Sequence, residues 1–267
     1  MSWPITRDLM RGVRELFPVG RDRLVVLGLV VLAAVVSFTE LAATKLFSSL
    51  ILPSADRTGS TTALLVVVFL VLYGGLRVIN FGREMYRINV FERALADSGV
   101  SKVSDSWRWA MAMEVTQILS AAARMTVVTA ATLVLSPPFG ISVIVVVALV
   151  GVWVSALYRR HWTAQKEFRA AQLAYQPVDN ATKVRTRIRA GETASLVGYL
   201  GVVILIGTLL WLVLSGTTDP ATGFVLFIAL RMLGQTLTEV AKGLMRYARA
   251  RAFSEVPGRR VDDEDDD

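Results

Sequence analysis

Residues 112–158 read AMEVTQILSAAARMTVVTAATLVLSPPFGISVIVVVALVGVWVSALY, two apolar runs divided only by Ser136, Pro137, Pro138 and Phe139. A helix needs about 20 mostly apolar residues to cross a hydrocarbon core of roughly 30 Å, and each run is long enough. Proline has no amide donor and its ring collides with the preceding turn, so Pro137-Pro138 cannot continue a helix. The stretch therefore reads as two membrane spans folded into a tight hairpin, near 112–136 and 139–158. The same test, carried outward, finds spans near 24–51 and 63–82 before the hairpin and near 194–215 and 221–245 after it. The expected fold is all-α and integral to a membrane, with six transmembrane helices.

Composition agrees. Of 267 residues 54% are apolar, yet the formal charge is +7, so apolar surface and basic charge must occupy different places. Lys and Arg fall between the long apolar runs rather than on a polar domain, which does not suit a nucleic-acid-binding protein. The chain has no cysteine, so disulfides and thiolate metal sites are excluded, and a single histidine, His161, cannot build a His-based metal cluster or a catalytic triad. No catalytic residue, metal site or resident cofactor is expected, and the chain does not read as an enzyme. The first apolar run is too long for a signal-peptide core and reads as a retained helix.

Orientation follows from charge. Arg7, Arg11, Arg14, Arg21 and Arg23 precede the first span, and eight Lys or Arg lie between Arg159 and Arg189, whereas the three opposite loops carry only Arg57. The positive-inside rule places both termini and the 83–111 and 159–192 loops in the cytoplasm of a cell (inner) membrane protein.

Residues 1–20 form a first unit. Ile5, Leu9, Met10, Val13, Leu16 and Phe17 recur at helical spacing opposite Arg7, Asp8, Arg11, Arg14 and Glu15, predicting an amphipathic helix lying flat at the cytoplasmic interface. Residues 21–253 make up the six-helix transmembrane domain. Residues 254–267 end in a nearly all-acidic block with nothing to bury, predicted to be a disordered tail. The two inner loops read as helical extensions of their flanking spans, joined by turns near Ser98-Gly99 and Pro177.

A charge at the centre of a span costs about 2.5–3.5 kcal/mol even on the lenient insertion scale, so membrane-embedded charges must face protein or water. Span one carries Ser37, Glu40, Thr44 and Ser48 at steps of three and four, with Lys45 alongside. Span three has Gln117, Ser120 and Arg124 on one face, and span six has Arg231, Gln235, Glu239, Lys242 and Arg246 down one side. If these stripes converge, Glu40, Arg124 and Arg231 meet near mid-membrane, one acid for two bases, in a cavity suited to an anionic or amphipathic solute. The expected substrate pathway is Glu40, Thr44, Gln117, Arg124, Arg231, Gln235 and Glu239; the competing reading makes these residues ion-pairing glue between helices or subunits. Trp107, Trp109, Trp153, Trp162 and Trp211 read as interfacial anchors, His161 as a headgroup-level residue, and Gly74-Gly75 as a point of close helix packing.

The sequence of parts, an interfacial helix and six spans with two inner loops, resembles the transmembrane domain of ABC exporters. The likeness is most specific in Leu214-Ser215-Gly216 and Asp219-Pro220-Ala221-Thr222-Gly223 leading into Phe224-Val225-Leu226-Phe227, and in the arginine-rich exit Tyr247-Ala248-Arg249-Ala250-Arg251-Ala252-Phe253. The resemblance implies a permease subunit that dimerises with itself or a related chain and is driven by ATP and Mg bound to a separate ATP-binding subunit. Two departures accompany it. No G-x-x-x-x-G-K-[ST] phosphate loop occurs, so this chain cannot cradle ATP phosphates itself. The inner loops are also shorter than the family's, which leaves Asp97, Ser98 and Gly99 and Tyr175, Gln176 and Pro177 as the expected ATPase-coupling turns.

Two other functions compete. An ATPase-less relative would serve as a regulatory, scaffold or assembly partner of another membrane protein. An ion-coupled carrier would titrate Glu40, but matching halves with Gly- or Pro-broken helices are not evident in the sequence.

Overall fold

A computed structural model describes residues 4–17, 20–51, 59–96, 102–176 and 178–254, and among them every regular element is a helix. In chain order these are α1 (Pro4–Leu16), α2 (Gly20–Ile51), α3 (Gly59–Ala96), α4 (Lys102–Leu135), α5 (Pro137–Leu173), α6 (Asn180–Leu214) and α7 (Pro220–Ser254). The last six are each long and apolar enough to cross a membrane. The architecture is that of an all-α, multi-pass membrane protein.

These helices run 32–38 residues, about 48–57 Å at 1.5 Å per residue, so each exceeds a hydrocarbon core by roughly 20 Å. The inner-loop residues are thus taken up by helix extension. One joining turn is described at residues 174–176 and 178–179. The other, with Asp97, Ser98 and Gly99, lies outside the described residues, as do Pro177 and residues 255–267.

The hairpin forms where the proline pair required it. Ser136 adopts an extended backbone between α4 and α5, Pro137 opens α5, and the Gly140 amide donates to the Ser136 carbonyl at 2.9 Å. Proline at the first helical position loses only an amide that has no intrahelical partner. The two helices approach so closely there that a Cβ on Gly140 would run into the Leu133 main chain. The Ser136 and Thr218 hydroxyls, 3.3 Å apart, tie this hairpin to the α6–α7 turn. In that turn Asp219 caps α7 by accepting from the Thr222 amide at 2.9 Å, a bond that holds its carboxyl below the ordinary value.

α7 is the centre of the bundle, packing on α4, α6, α5 and α2. Its inward face carries Leu226, Leu230, Leu233, Leu237, Ala241 and Leu244, all buried, at helical spacing. Small residues set the closest approaches. An added Cβ would fall 2.9 Å from Ile118 of α4 at Gly243, 3.0 Å from Val202 of α6 at Gly234, and 2.9 Å from Val150 of α5 at Gly201. Such positions let backbones pack within a bilayer, where apolar burial alone does not drive helices together. Gly74 and Gly75 differ from expectation: nothing lies within 4 Å of a Cβ at either. α3 packs mainly on α2, and apart from Leu76 its most apolar stretch is largely exposed, so the glycine pair is not a point of close packing.

α1 has the predicted amphipathic character but uses it on protein. Ile5, Leu9, Leu16 and Phe17 are buried, and the Phe17 ring lies 5.5 Å from that of Phe91 on α3. Gly12 sits against the Tyr247 hydroxyl, which donates to the Asp8 carbonyl at 3.2 Å. The apolar stripe read as lipid-facing is therefore occupied largely by the bundle, while Met10 remains exposed.

The α5–α6 turn closes with Gln176 N–H donating to the Ala171 carbonyl at 3.0 Å and Tyr175 N–H to that of Gln172 at 3.3 Å. This is a Schellman arrangement whose left-handed position glycine normally fills. Here it is Tyr175, at φ 56°, a residue 85% exposed.

Candidate functional site

One face of α7 carries the longest polar series inside a span. Arg231, Gln235, Lys242 and Arg246 are exposed along it and Glu239 is half-buried, at steps of four, four, three and four. Three of these charges are paired within the chain. The Arg124 guanidinium on α4 donates to Glu239; Glu114 on α4 accepts from Arg246 at 2.9 Å; Glu192 on α6 lies 3.9 Å from the Lys242 ammonium. Arg231 has no ion pair among the described residues. It lies eleven residues into α7, about 16 Å from its start and so near the middle of a hydrocarbon core.

Arg231, Gln235, Thr238 and Glu239 share a groove of about 670 Å³ with Tyr199 and Phe227. The groove is open to the outside of the single chain and its walls are largely aliphatic and aromatic. With Glu239 already engaged by Arg124, Arg231 is its uncompensated charge, so the local field is positive. A second cavity of similar volume lies among α4, α5, α7 and α1, and its lining has no charged side chain.

The expected convergence of Glu40, Arg124 and Arg231 takes a different form. The acid joined to Arg124 is Glu239, not Glu40. Glu40 is half-buried on α2, within electrostatic reach of Arg77 on α3, and makes no ion pair with Arg124 or Arg231. Thr44 donates its hydroxyl to the Glu40 carbonyl at 2.9 Å, a local helical bond. Gln117 is half-buried on α4, one helical face with Arg124, but does not line the α6–α7 groove. Four of the seven pathway residues, Arg124, Arg231, Gln235 and Glu239, are thus brought together; Glu40, Thr44 and Gln117 are not.

Two acids of this network, Glu114 and Glu192, escaped the sequence reading. The signal for Glu114 was the charge order: acid then base on α4 (Glu114, Arg124) and acid then base on the antiparallel α7 (Glu239, Arg246), which sets each acid beside the other helix's base. Nor are the tryptophans all anchors. Trp107 stacks on Phe253 at 4.8 Å, Trp109 meets Phe91 edge-on at 6.1 Å, and Trp162 lies beside Tyr158 at 6.2 Å, while Trp153 and Trp211 are exposed. His161 is buried, its Nδ1 without a hydrogen-bond partner.

Neither a known protein family nor a curated protein matches the chain.

Proposed function

We propose that this chain is the permease subunit of an ABC-exporter-like transporter in the cell membrane, with both termini cytoplasmic, and that it moves an anionic or amphipathic solute. The observation that carries the reading is Arg231, a cation without an ion pair on the open side of α7 at mid-membrane depth. Lipid cannot solvate it without a cost of about 2.5–3.5 kcal/mol or more, so a water-filled path or a second subunit covers it. A groove half open in one chain is completed by a second copy or a related chain. Arg231 then attracts the solute's negative group while Phe227, Tyr199 and the neighbouring aliphatic wall receive its apolar part. ATP and Mg enter through a separate ATP-binding subunit docked at the inner turns.

Replacement of Arg231 by Leu is expected to lower ATP-driven efflux of an anionic amphipathic dye at least tenfold, with membrane level and oligomeric state unchanged. Unaltered efflux would remove the pathway role of this groove.

The α5–α6 turn offers a separate test of ATPase coupling. Tyr175 holds a left-handed backbone that costs an L side chain roughly 1 kcal/mol relative to glycine, and it exposes a large aromatic at the tip of a turn, the residue type enriched at protein contacts. Tyr175→Gly is expected to stabilise the isolated chain by about 1 kcal/mol in thermal unfolding. In mild-detergent affinity purification with mass spectrometry it should nonetheless lower recovery of a stoichiometric ATP-binding protein and its ATPase activity. A gain in stability with full recovery would place the coupling contact elsewhere.

The second reading, an ATPase-less scaffold or assembly partner, draws on the three charges of the α7 series already paired within the chain. Recovery of another membrane protein with no ATPase, together with indifference of that assembly to Arg231→Leu, would favour it.

A further inference from the structure

The bundle end that carries α1 holds a second concentration of charge, apart from the α6–α7 groove. A pocket of about 190 Å³ lies between the ends of α5, α6 and α7, and Lys183, Arg187 and Arg249 line it together with Gln165. No carboxylate lines this pocket, and none of the three cations makes an ion pair among the described residues. Gln165 is 5% exposed and so presents a buried amide to the same space.

Of the three, Arg249 is held by aromatic faces, and the Phe253 ring forms one wall of the pocket. The Arg249 guanidinium lies 6.0 Å from that ring and 5.4 Å from Trp107, and Arg169 lies 5.4 Å from Phe253. The electron-rich faces attract cations that would otherwise spread apart, and Trp107 fixes Phe253 by stacking on it at 4.8 Å. Arg187 and Arg249 also border an adjoining cavity of about 390 Å³, whose two acids, Glu114 and Glu192, are already joined to Arg246 and Lys242. The cations therefore stay uncompensated on both sides.

Depth names the ligand class. Gln165, Lys183 and Arg249 sit about 42–46 Å along their helices from the opposite, hairpin end, at 1.5 Å per residue. A bilayer including both headgroup layers is about 40–45 Å thick, so with the hairpin end at the opposite surface the pocket falls at the edge of the far headgroup layer. Basic pockets between spans at that level are suited to acidic lipid headgroups.

We propose that Lys183, Arg187 and Arg249, with the Gln165 amide, form a binding site for a phosphate group, supplied by an anionic phospholipid headgroup or by a soluble phosphate. Charge-assisted hydrogen bonds from two guanidiniums and an ammonium supply the affinity. The site is separate from the proposed transport groove, and its test reads binding alone.

The full chain in neutral detergent is titrated with phosphatidylglycerol and with phosphatidylcholine, bound lipid being counted by native mass spectrometry. Inorganic phosphate is titrated separately against sodium chloride of equal ionic strength, with thermal stability as the readout. Wild type is expected to prefer phosphatidylglycerol, and Lys183→Gln/Arg187→Gln to weaken that binding roughly twenty- to thirtyfold, about fivefold per cation. Arg185→Gln/Arg189→Gln makes the same charge change at exposed α6 positions outside the pocket and is expected to keep wild-type affinity. The same pattern with inorganic phosphate and not with the lipid supports the site and assigns it a soluble ligand. Equal retention of both lipids by wild type with no response to phosphate, or equal loss in the two double variants, overturns the proposal.

Discussion

Arg251→Leu is expected to release α1 from the bundle and to lower stability by about 3–5 kcal/mol, the usual result of removing one member of a buried ion pair. Arg251 is 5% exposed near the end of α7, and its Nη1 lies 3.1 Å from the Asp8 carboxylate on α1. Its guanidinium also lies 5.0 Å from the Trp162 ring on α5, and the neighbouring Tyr158 and Tyr247 side chains are fully buried. Arg251 thus joins α1, α5 and α7 in one cluster, and leucine leaves Asp8 without its cation against an apolar wall. Thermal unfolding in detergent should show a midpoint lowered by about 10 °C, and limited proteolysis should cut more readily between α1 and α2. In Asp8→Leu/Arg251→Leu no charge is orphaned, so more than half of the loss should be recovered. Wild-type stability in Arg251→Leu would mean that α1 is held by Ile5, Leu9, Leu16 and Phe17 alone.

That contact also marks where the sequence stops being legible. The hairpin could be read because Pro137 and Pro138 act on their own backbone, and the spans because their length answers to a fixed membrane thickness. The helical extensions of the inner loops were legible for the same local reason. Asp8 was placed on the polar side of α1, correctly by periodicity, but its partner lies 243 residues away and no spacing rule connects the two. Glu239 was likewise singled out, and the face it occupies was right. The expected meeting of Arg124 with Glu40 gives way to Glu239, because both acids are compatible with the faces and only the packing of α4 on α7 decides between them. Gly74-Gly75 shows the converse failure. A small-residue pair permits close packing, yet nothing approaches either glycine closely enough to use it, and permission is all that composition encodes.

Arg124→Leu is expected to cost about 2.5–3.5 kcal/mol, because Glu239 is then left charged within a span or must take up a proton to remain there. α4 and α7 make the most extensive helix contact in the bundle, so the loss should appear as a lower unfolding midpoint and as reduced membrane level. The exchanged pair Arg124→Glu/Glu239→Arg keeps one acid and one base between the same two helices and should recover most of the stability, giving a coupling energy of about 2 kcal/mol in a double-mutant cycle. Transport separates the two meanings of the pair. If it only clamps α4 to α7, the exchanged protein should move substrate as wild type does. If Glu239 has a further role in the groove beside Arg231, the exchange sets a second cation next to Arg231, and efflux of an anionic solute should change while stability returns. A restored fold with altered efflux would therefore place Glu239 in the pathway as well as in the clamp. No recovery of stability at all would show that the Arg124 and Glu239 contact does not hold α4 against α7.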